Sequence, residues 1–139
     1  MTQFAALVEH VIGTGLSIRF RACGDSMYPT ILNGDVITVA PVAAHEVAPG
    51  DILLYRDGHR VLAHRLIGIS TDGDESRFRL RGDSNIMCDE PIAAAQIVGR
   101  VEAVERDGRA IALHATFAVT RRTSATIRRY LMSCRRLLA

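Results

Sequence analysis

Lysine is absent from this chain of 139 residues, and all 17 of its basic residues are arginines. The absence excludes a lysine general base, and arginine cannot replace it because its guanidinium stays protonated in proteins. If the chain holds an activated nucleophile, its base must therefore be sought among the five histidines.

Long hydrophobic runs are also missing. No stretch approaches the roughly 18 apolar residues of a membrane span, and no basic segment precedes a short apolar one near the N-terminus. We therefore predict no membrane span, no secretion signal and a cytoplasmic location.

The three cysteines, Cys23, Cys88 and Cys134, form no C-x-x-C pair. They fit a reducing compartment and argue against a disulfide framework or a thiolate metal site.

Acidic residues are missing from the last part of the chain. Six arginines and no aspartate or glutamate follow Ala110, so the small net charge of +2 belongs to this tail. The domain as a whole has no nucleic-acid footprint, and no nucleic-acid partner is predicted.

Apolar residues from Ile127 to Leu138 recur at helical spacing and predict a C-terminal amphipathic helix. Its apolar face would pack on the domain. The alternative is peripheral contact with an anionic membrane surface or a partner groove.

The composition that is present predicts one mainly β domain. Apolar residues make up 48% of the chain and charged residues 23%, which is typical of a globular protein. Residues from Phe4 to Ile12 have the spacing of a short amphipathic helix, and those from Leu16 to Ala22 alternate as in a half-buried strand. Further strands, separated by turn dipeptides such as Asp57-Gly58, are predicted at 36–39, 52–55, 59–67, 78–81, 97–104 and 110–113. Short strands with frequent turns favour coiled antiparallel sheets or a partly open barrel.

Ser26 is the candidate nucleophile. The strand ending at Ala22 runs directly into Gly24-Asp25-Ser26, and Pro29 constrains the backbone on the other side. A serine hydroxyl needs a base and a stabilised oxyanion before it can attack a carbonyl. Gly24 would let the backbone approach that carbonyl, and the Ser26 N–H could point at the developing charge. A Ser-x-x-Pro sequence by itself is more often only a turn.

His64 is the candidate base. It alternates with Leu62 and Leu66, so it shares a strand face with apolar residues and needs a polar partner, as a core histidine or a catalytic one would. A neutral imidazole can accept a hydroxyl proton near pH 7. Asp89, or in second place Asp83, would orient the ring. By themselves, both aspartates also fit turn positions.

A metal site could be formed by His59, His64 and Asp83. The two histidines are predicted to face opposite sides of one strand, which disfavours a shared ion. No metal and no cofactor is therefore predicted.

Six segments in order resemble the conserved boxes of type I signal peptidases. They begin with the Gly-x-Ser-Met-x-Pro-Thr stretch and lie within a matching region from about Arg21 to Glu105. Histidine followed by arginine in the Ala-His-Arg-Leu-Ile segment is the form of the archaeal and endoplasmic-reticulum branch, in which histidine replaces the bacterial lysine. The segments are Gly24 to Thr30, Asn33 to Val36, Pro49 to Ile52, Ala63 to Ile67, Arg81 to Glu90 and Val98 to Val101.

The resemblance implies a serine endopeptidase without cofactor, acting on a peptide or protein precursor. Ser26 would be the nucleophile, His64 the base and Asp89 the orienting acid, while Asp83 would brace the site. The remaining candidates for the oxyanion and substrate site are Gly24, Met27 and Pro29. The family's groove takes an extended peptide by strand addition and prefers small residues before the cleaved bond. Residues 1–109 are predicted as the catalytic domain with its N-terminal helix, and 110–139 as a basic strand and helix extension of that domain.

The chain departs from that family in two ways. Signal peptidases carry an N-terminal membrane span, whereas only a short amphipathic helix is predicted here. Relatives often supply a hydroxyl two residues before the serine, where this chain has Gly24, as in the soluble self-cleaving repressor branch. Two other functions remain: a non-catalytic module that binds extended peptides, and the sensor or self-cleavage domain of a regulator.

Overall fold

The computed structural model describes residues 2–113. Within this range one helix precedes an antiparallel sheet, as the pattern predicted. The predicted C-terminal helix lies outside the described residues. No helix within the range is long and apolar enough to cross a bilayer. The elements are α1 (Gln3–Gly13), β1 (Ile18–Arg21), β2 (Val36–Ala40), β3 (Ile52–Asp57), β4 (Arg60–Asp72), β5 (Glu75–Arg81), β6 (Ile92–Ala93), β7 (Ile97–Arg106) and β8 (Arg109–Ile111), with short 3₁₀ helices at Ala44–Glu46 and Ala94–Gln96.

Helix α1 has a defined start and end. The Thr2 hydroxyl caps its first turn by accepting a hydrogen bond from the Ala5 N–H at 3.2 Å. Gly15 follows the helix with a φ of +88°, and its N–H donates to the Ile12 carbonyl at 2.9 Å. The helix buries Ala5, Val8 and Ile12 against the sheet. Its amphipathic pattern therefore fixes which face packs on the core.

The strands form one sheet in the order β1-β2-β7-β3-β4-β5-β6, and β8 pairs with β7. The pairings between strands in the described residues are all antiparallel. The two ends of this order, β1 and β6, do not pair with each other, so the sheet of residues 2–113 is not a closed barrel. Strand β7 lies between β2 and β3, which brings the last long strand into the centre of the sheet.

A two-residue loop, Gly58 and His59, joins β3 to β4 and sets their register. Leu53 pairs with His64, and Tyr55 pairs with Leu62. Because side chains alternate between the two faces of a strand, Tyr55 and His64 lie on one face as diagonal neighbours. The hairpin predicted at Asp57-Gly58 therefore positions two polar side chains on an otherwise apolar face.

Two apolar clusters pack on the sheet. The first contains the buried side of α1 and residues after the first strand, with Val8, Ile12, Met27, Ile31, Ile37, Val39, Ile52, Leu54, Val101 and Val104. The second contains Val47, Leu53, Tyr55, Leu66, Phe78, Leu80 and Ile92. Leu53 and Leu54 belong to different clusters, as strand alternation requires.

The sequence predicted where strands occur better than it predicted how long they are. Strand β4 extends to Asp72 and β5 begins at Glu75, so both are longer than the pattern indicated. Strand β1 is shorter, and β6 was not predicted at all. Its two residues pair with Arg77 and Phe78 of β5, which is too short a segment to show a period of two.

Candidate active site

The loop after β1 holds Ser26 by contacts on both sides. Gly24 has a φ of +92°, and its N–H donates to the Asn33 side-chain oxygen at 2.9 Å. This left-handed conformation is strained for any residue with a Cβ, so glycine is needed there. Met27 is 4% exposed and packs into the first apolar cluster. Burying such a side chain contributes about 1.5–3 kcal/mol, which anchors the loop beneath the serine.

His64 contacts Ser26 on one side and Asp89 on the other. Its Nε2 lies 3.1 Å from the Ser26 hydroxyl oxygen, and its Nδ1 lies 2.5 Å from Asp89 Oδ2. The ring is 4% exposed. With a proton on Nδ1 donated to the carboxylate, Nε2 is left as an acceptor for the serine O–H. This arrangement can take a proton from Ser26 and stabilise the resulting imidazolium.

Asp89 reaches His64 from the loop between β5 and β6. Its N–H donates to the Leu80 carbonyl at 2.8 Å, which ties the loop to the end of β5. Its side chain is 25% exposed. The structure thus brings Asp89, and not Asp83, to the imidazole.

Tyr55 is a site residue that the sequence interpretation missed. Its O–H donates to Asp89 Oδ2 at 2.9 Å, and the Tyr55 hydroxyl oxygen also lies 3.2 Å from His64 Nδ1. Burial, together with the negative charge of Asp89, raises the pKa of the Tyr55 phenol far above its ordinary value. The phenol therefore remains a neutral donor. The signal that could have found it is the hairpin register, which makes Tyr55 the diagonal neighbour of His64.

Asp83 belongs to a second polar cluster beside the nucleophile loop. It accepts hydrogen bonds from Arg65 Nε at 2.8 Å and from an Arg65 terminal nitrogen at 2.7 Å. The hydroxyl of buried Thr30 donates to it at 2.6 Å. The bidentate pair joins β4 to the loop after β5, and the Thr30 hydroxyl links Asp83 to the end of the nucleophile loop. These contacts support the bracing role expected for Asp83, which stays a prediction.

The loop after β5 also contacts the nucleophile loop through its backbone. The Ser84 N–H donates to the Ser26 carbonyl at 3.0 Å, and the Ser84 hydroxyl donates to the Asp25 carbonyl at 2.9 Å. At Gly82 a Cβ atom would lie 2.5 Å from the Ser26 carbonyl oxygen. A glycine is needed here because the two loops approach so closely.

The other predicted oxyanion and substrate residues have different surroundings. Within residues 2–113 the Ser26 N–H donates to no acceptor, so it remains available to a substrate oxygen. The Gly24 N–H, by contrast, is occupied by Asn33. Pro29 is exposed and follows Tyr28 through a cis peptide bond. The Met27 side chain is buried in the first apolar cluster, so only its backbone could contact a substrate, and its place among the substrate-binding candidates stays a prediction.

Metal ligands and thiols give no second site. Residues 2–113 contain no group of three histidine, cysteine or acidic side chains that could hold a metal ion. Cys23 is a free, exposed thiol.

A serine hydroxyl in contact with a buried imidazole is an arrangement of serine hydrolases, the class that includes the serine peptidases. The sequence model of one family, described as Peptidase S24-like, matches residues 9–102, which is more than half of the chain. The chain belongs to the Peptidase S24-like family, in the superfamily of signal peptidases and self-cleaving repressors. No curated protein matches the chain at a significant level.

Proposed function

We propose that this protein is a serine endopeptidase in which Ser26 is the nucleophile, His64 the general base and Asp89 the acid that orients the imidazole. The single observation that carries the proposal is the 3.1 Å contact between the Ser26 hydroxyl and His64 Nε2. It is supported by the 2.5 Å contact between His64 Nδ1 and Asp89, because together they leave Nε2 free to accept the serine proton.

The chemistry follows from these contacts. As the Ser26 oxygen attacks the scissile carbonyl carbon, its proton passes to His64 Nε2, and the carbonyl oxygen becomes an oxyanion. Collapse of this intermediate breaks the C–N bond, and His64 returns the proton to the departing amine. Water then attacks the acyl-serine ester, again giving its proton to His64. Hydrolysis releases the acid product and restores the Ser26 hydroxyl.

The oxyanion would be stabilised by backbone donors. The Ser26 N–H is an available donor of the nucleophile loop, because it donates to no acceptor in the described part of the chain. One such donor in a dry, preorganised site contributes about 2.7–4 kcal/mol to transition-state stability. Gly24 contributes through its conformation, because it turns the loop and places this N–H.

The use of histidine as base separates this chain from the lysine-dependent members of its family. The chain has no lysine, and the neighbouring Arg65 is engaged by Asp83. We therefore assign the protein to the histidine-base branch. Its substrate would be an extended leader or precursor peptide with small residues before the cleaved bond, as the resemblance to signal peptidases implies. The extent of the catalytic domain, 1–109 with its extension at 110–139, and a cytoplasmic location stay predictions.

A peptide library of mixed sequence, with cleavage detected by mass spectrometry, tests the proposal. The wild type should cut a subset of peptides, and Ser26→Ala and His64→Ala should each remove these cuts while the protein stays folded. Ser70→Ala is a matched control for Ser26→Ala, since it deletes an exposed hydroxyl of β4 that belongs to neither loop of the site. Cuts that persist in Ser26→Ala would overturn the assignment. A folded wild type that binds peptides without cutting them would favour a peptide-binding module.

A further inference from the structure

We propose that Tyr55 is a positioning residue for the reaction: its hydroxyl holds the Asp89 carboxylate against His64 and so fixes the proton on Nδ1. The inference rests on the proposed function of Ser26 and His64 and extends it by one residue. Three atoms carry it: the Tyr55 hydroxyl oxygen, Asp89 Oδ2 and His64 Nδ1. The Tyr55 oxygen lies 2.9 Å from Asp89 Oδ2 and 3.2 Å from His64 Nδ1, and the Asp89 and His64 atoms lie 2.5 Å apart.

Asp89 needs such a restraint because, within residues 2–113, its side-chain hydrogen bonds are only those to His64 and Tyr55. It lies in the loop between β5 and β6, a quarter of its side chain is exposed, and its N–H is bound to Leu80. Tyr55, by contrast, is 3% exposed and belongs to the central strand β3. A hydrogen bond from a residue on a rigid strand restrains the position of a loop carboxylate more closely than the loop itself does.

The hydroxyl also disfavours the wrong tautomer of His64. If the proton were on Nε2, the lone pair of Nδ1 would face the Asp89 oxygen at 2.5 Å, and Ser26 would lose its acceptor. Tyr55 could satisfy that lone pair only by giving up its bond to Asp89. With the proton on Nδ1, Asp89 accepts from both neighbours. Every donor in the cluster then has an acceptor, and Nε2 faces Ser26 as a base.

Tyr55→Phe tests the inference, because it removes one hydroxyl and keeps the ring that packs 5.9 Å from the imidazole. Losing a hydrogen bond to a charged group should lower kcat about 10- to 100-fold. KM should stay within about 2-fold, since the hydroxyl lies behind the imidazole and not toward the substrate. Phe78→Leu is the matched control: Phe78 is a buried aromatic residue of the same apolar cluster, and its ring has no polar group that could hydrogen-bond to Tyr55, Asp89 or His64. It should lower the melting temperature with a much smaller effect on kcat.

A second measurement needs no substrate and therefore separates this inference from the proposed function. A proton held between His64 Nδ1 and Asp89 gives a strongly deshielded ¹H NMR signal, which is assigned by its loss in His64→Ala. In Tyr55→Phe this signal should shift and exchange faster with water, and in Phe78→Leu it should stay. An unchanged signal in Tyr55→Phe overturns the inference, whether or not the wild type cuts peptides. If Ser26-dependent cleavage is found and Tyr55→Phe keeps wild-type kcat, the inference fails while the proposed function stands.

Discussion

Asp83 and Asp89 lie in one loop, yet their surroundings separate their tasks. The Asp89 carboxylate lies 2.5 Å from His64 Nδ1 and accepts a hydrogen bond from the Tyr55 hydroxyl. Asp83 instead pairs with Arg65, which is 7% exposed, and with the buried hydroxyl of Thr30. The two carboxylates look equivalent in the sequence, but they have different partners. Asp89 contacts the imidazole of His64, whereas Asp83 forms a buried ion pair that stabilises the fold.

The two asparagine variants should separate these properties. We expect Asp89→Asn to lower kcat by about 10²- to 10⁴-fold with little change in stability, because an amide can stabilise the wrong tautomer of His64. Asp83→Asn should lower the free energy of unfolding by about 3 kcal/mol, since Arg65 loses its buried carboxylate partner. Urea unfolding and peptide-cleavage kinetics on the same preparations measure both effects. Equal loss of kcat without loss of stability in Asp83→Asn would contradict this division.

The sequence predicted the individual residues of the site unevenly, for physical reasons. Ser26 and His64 could be singled out because the missing lysine leaves histidine as the base and because both residues lie in segments that resemble signal peptidases. Turn chemistry and strand alternation alone left other interpretations open. Asp89 was preferred to Asp83, but the sequence could not settle the choice, because loop residues have no period that tells where a side chain points. Tyr55 was within reach, since a two-residue hairpin loop fixes which residues of β3 and β4 are neighbours.

At the scale of elements, the site depends on the contact between two loops. The loop of residues 24–30 carries the nucleophile, and the loop that follows β5 carries Asp89. Their backbones are joined at the Ser26 carbonyl, which accepts from the Ser84 N–H at 3.0 Å. The distance from Ser26 to the imidazole is therefore set partly by how closely the second loop can approach.

Gly82→Ala should open this contact. Its Cβ would lie 2.5 Å from the Ser26 carbonyl oxygen and 2.7 Å from the Asn85 side-chain nitrogen. Backbone must move to relieve the first overlap, so we expect kcat to fall at least about 10-fold, as even small misplacements of a nucleophile are costly. Gly68→Ala in β4 is the control, because a Cβ there meets nothing within 4 Å. Kinetics and melting temperatures of both variants, measured side by side, check the prediction. Wild-type turnover in Gly82→Ala would show that the loop distance does not limit catalysis.

At the scale of the whole molecule, the strand order joins parts of the chain that the sequence could not connect. Strand β7 pairs with β2 on one side and with β3 on the other. These pairings join residues far apart in the chain, so no local period reveals them. The order of the strands was thus out of reach, although seven of the eight strands of residues 2–113 were foreseen in some form. The end of β7 also returns to the nucleophile loop, through Arg106.

Arg106 and Asp35 form the contact that closes this arrangement. Two Arg106 nitrogens donate to the Asp35 carboxylate at 3.0 and 2.8 Å, and one of them also donates to the Thr30 carbonyl at 3.3 Å. Asp35 is 4% exposed and accepts a further bond from the Leu32 N–H at 2.8 Å. The hydrogen bond from Arg106 holds the pKa of the Asp35 carboxyl below its ordinary value, since it outweighs the effect of burial.

The stability of the fold should therefore depend on pH through Asp35. A carboxyl whose pKa is lowered by folding stabilises the protein above its unfolded pKa of about 3.9, and this contribution disappears as pH falls through the lower folded value. At pH 7 we expect Asp35→Asn to lower the free energy of unfolding by about 1–3 kcal/mol, because its buried hydrogen-bond partners lose a charged acceptor. Glu105→Gln, which breaks an exposed pair with Arg19, should cost less than about 1 kcal/mol. Urea unfolding of the wild type and both variants between pH 3 and 7 tests this. The difference in free energy of unfolding between wild type and Asp35→Asn should become smaller below pH 4. A difference that stays constant with pH would mean that Asp35 stabilises the fold by packing and neutral hydrogen bonds and not by its charge.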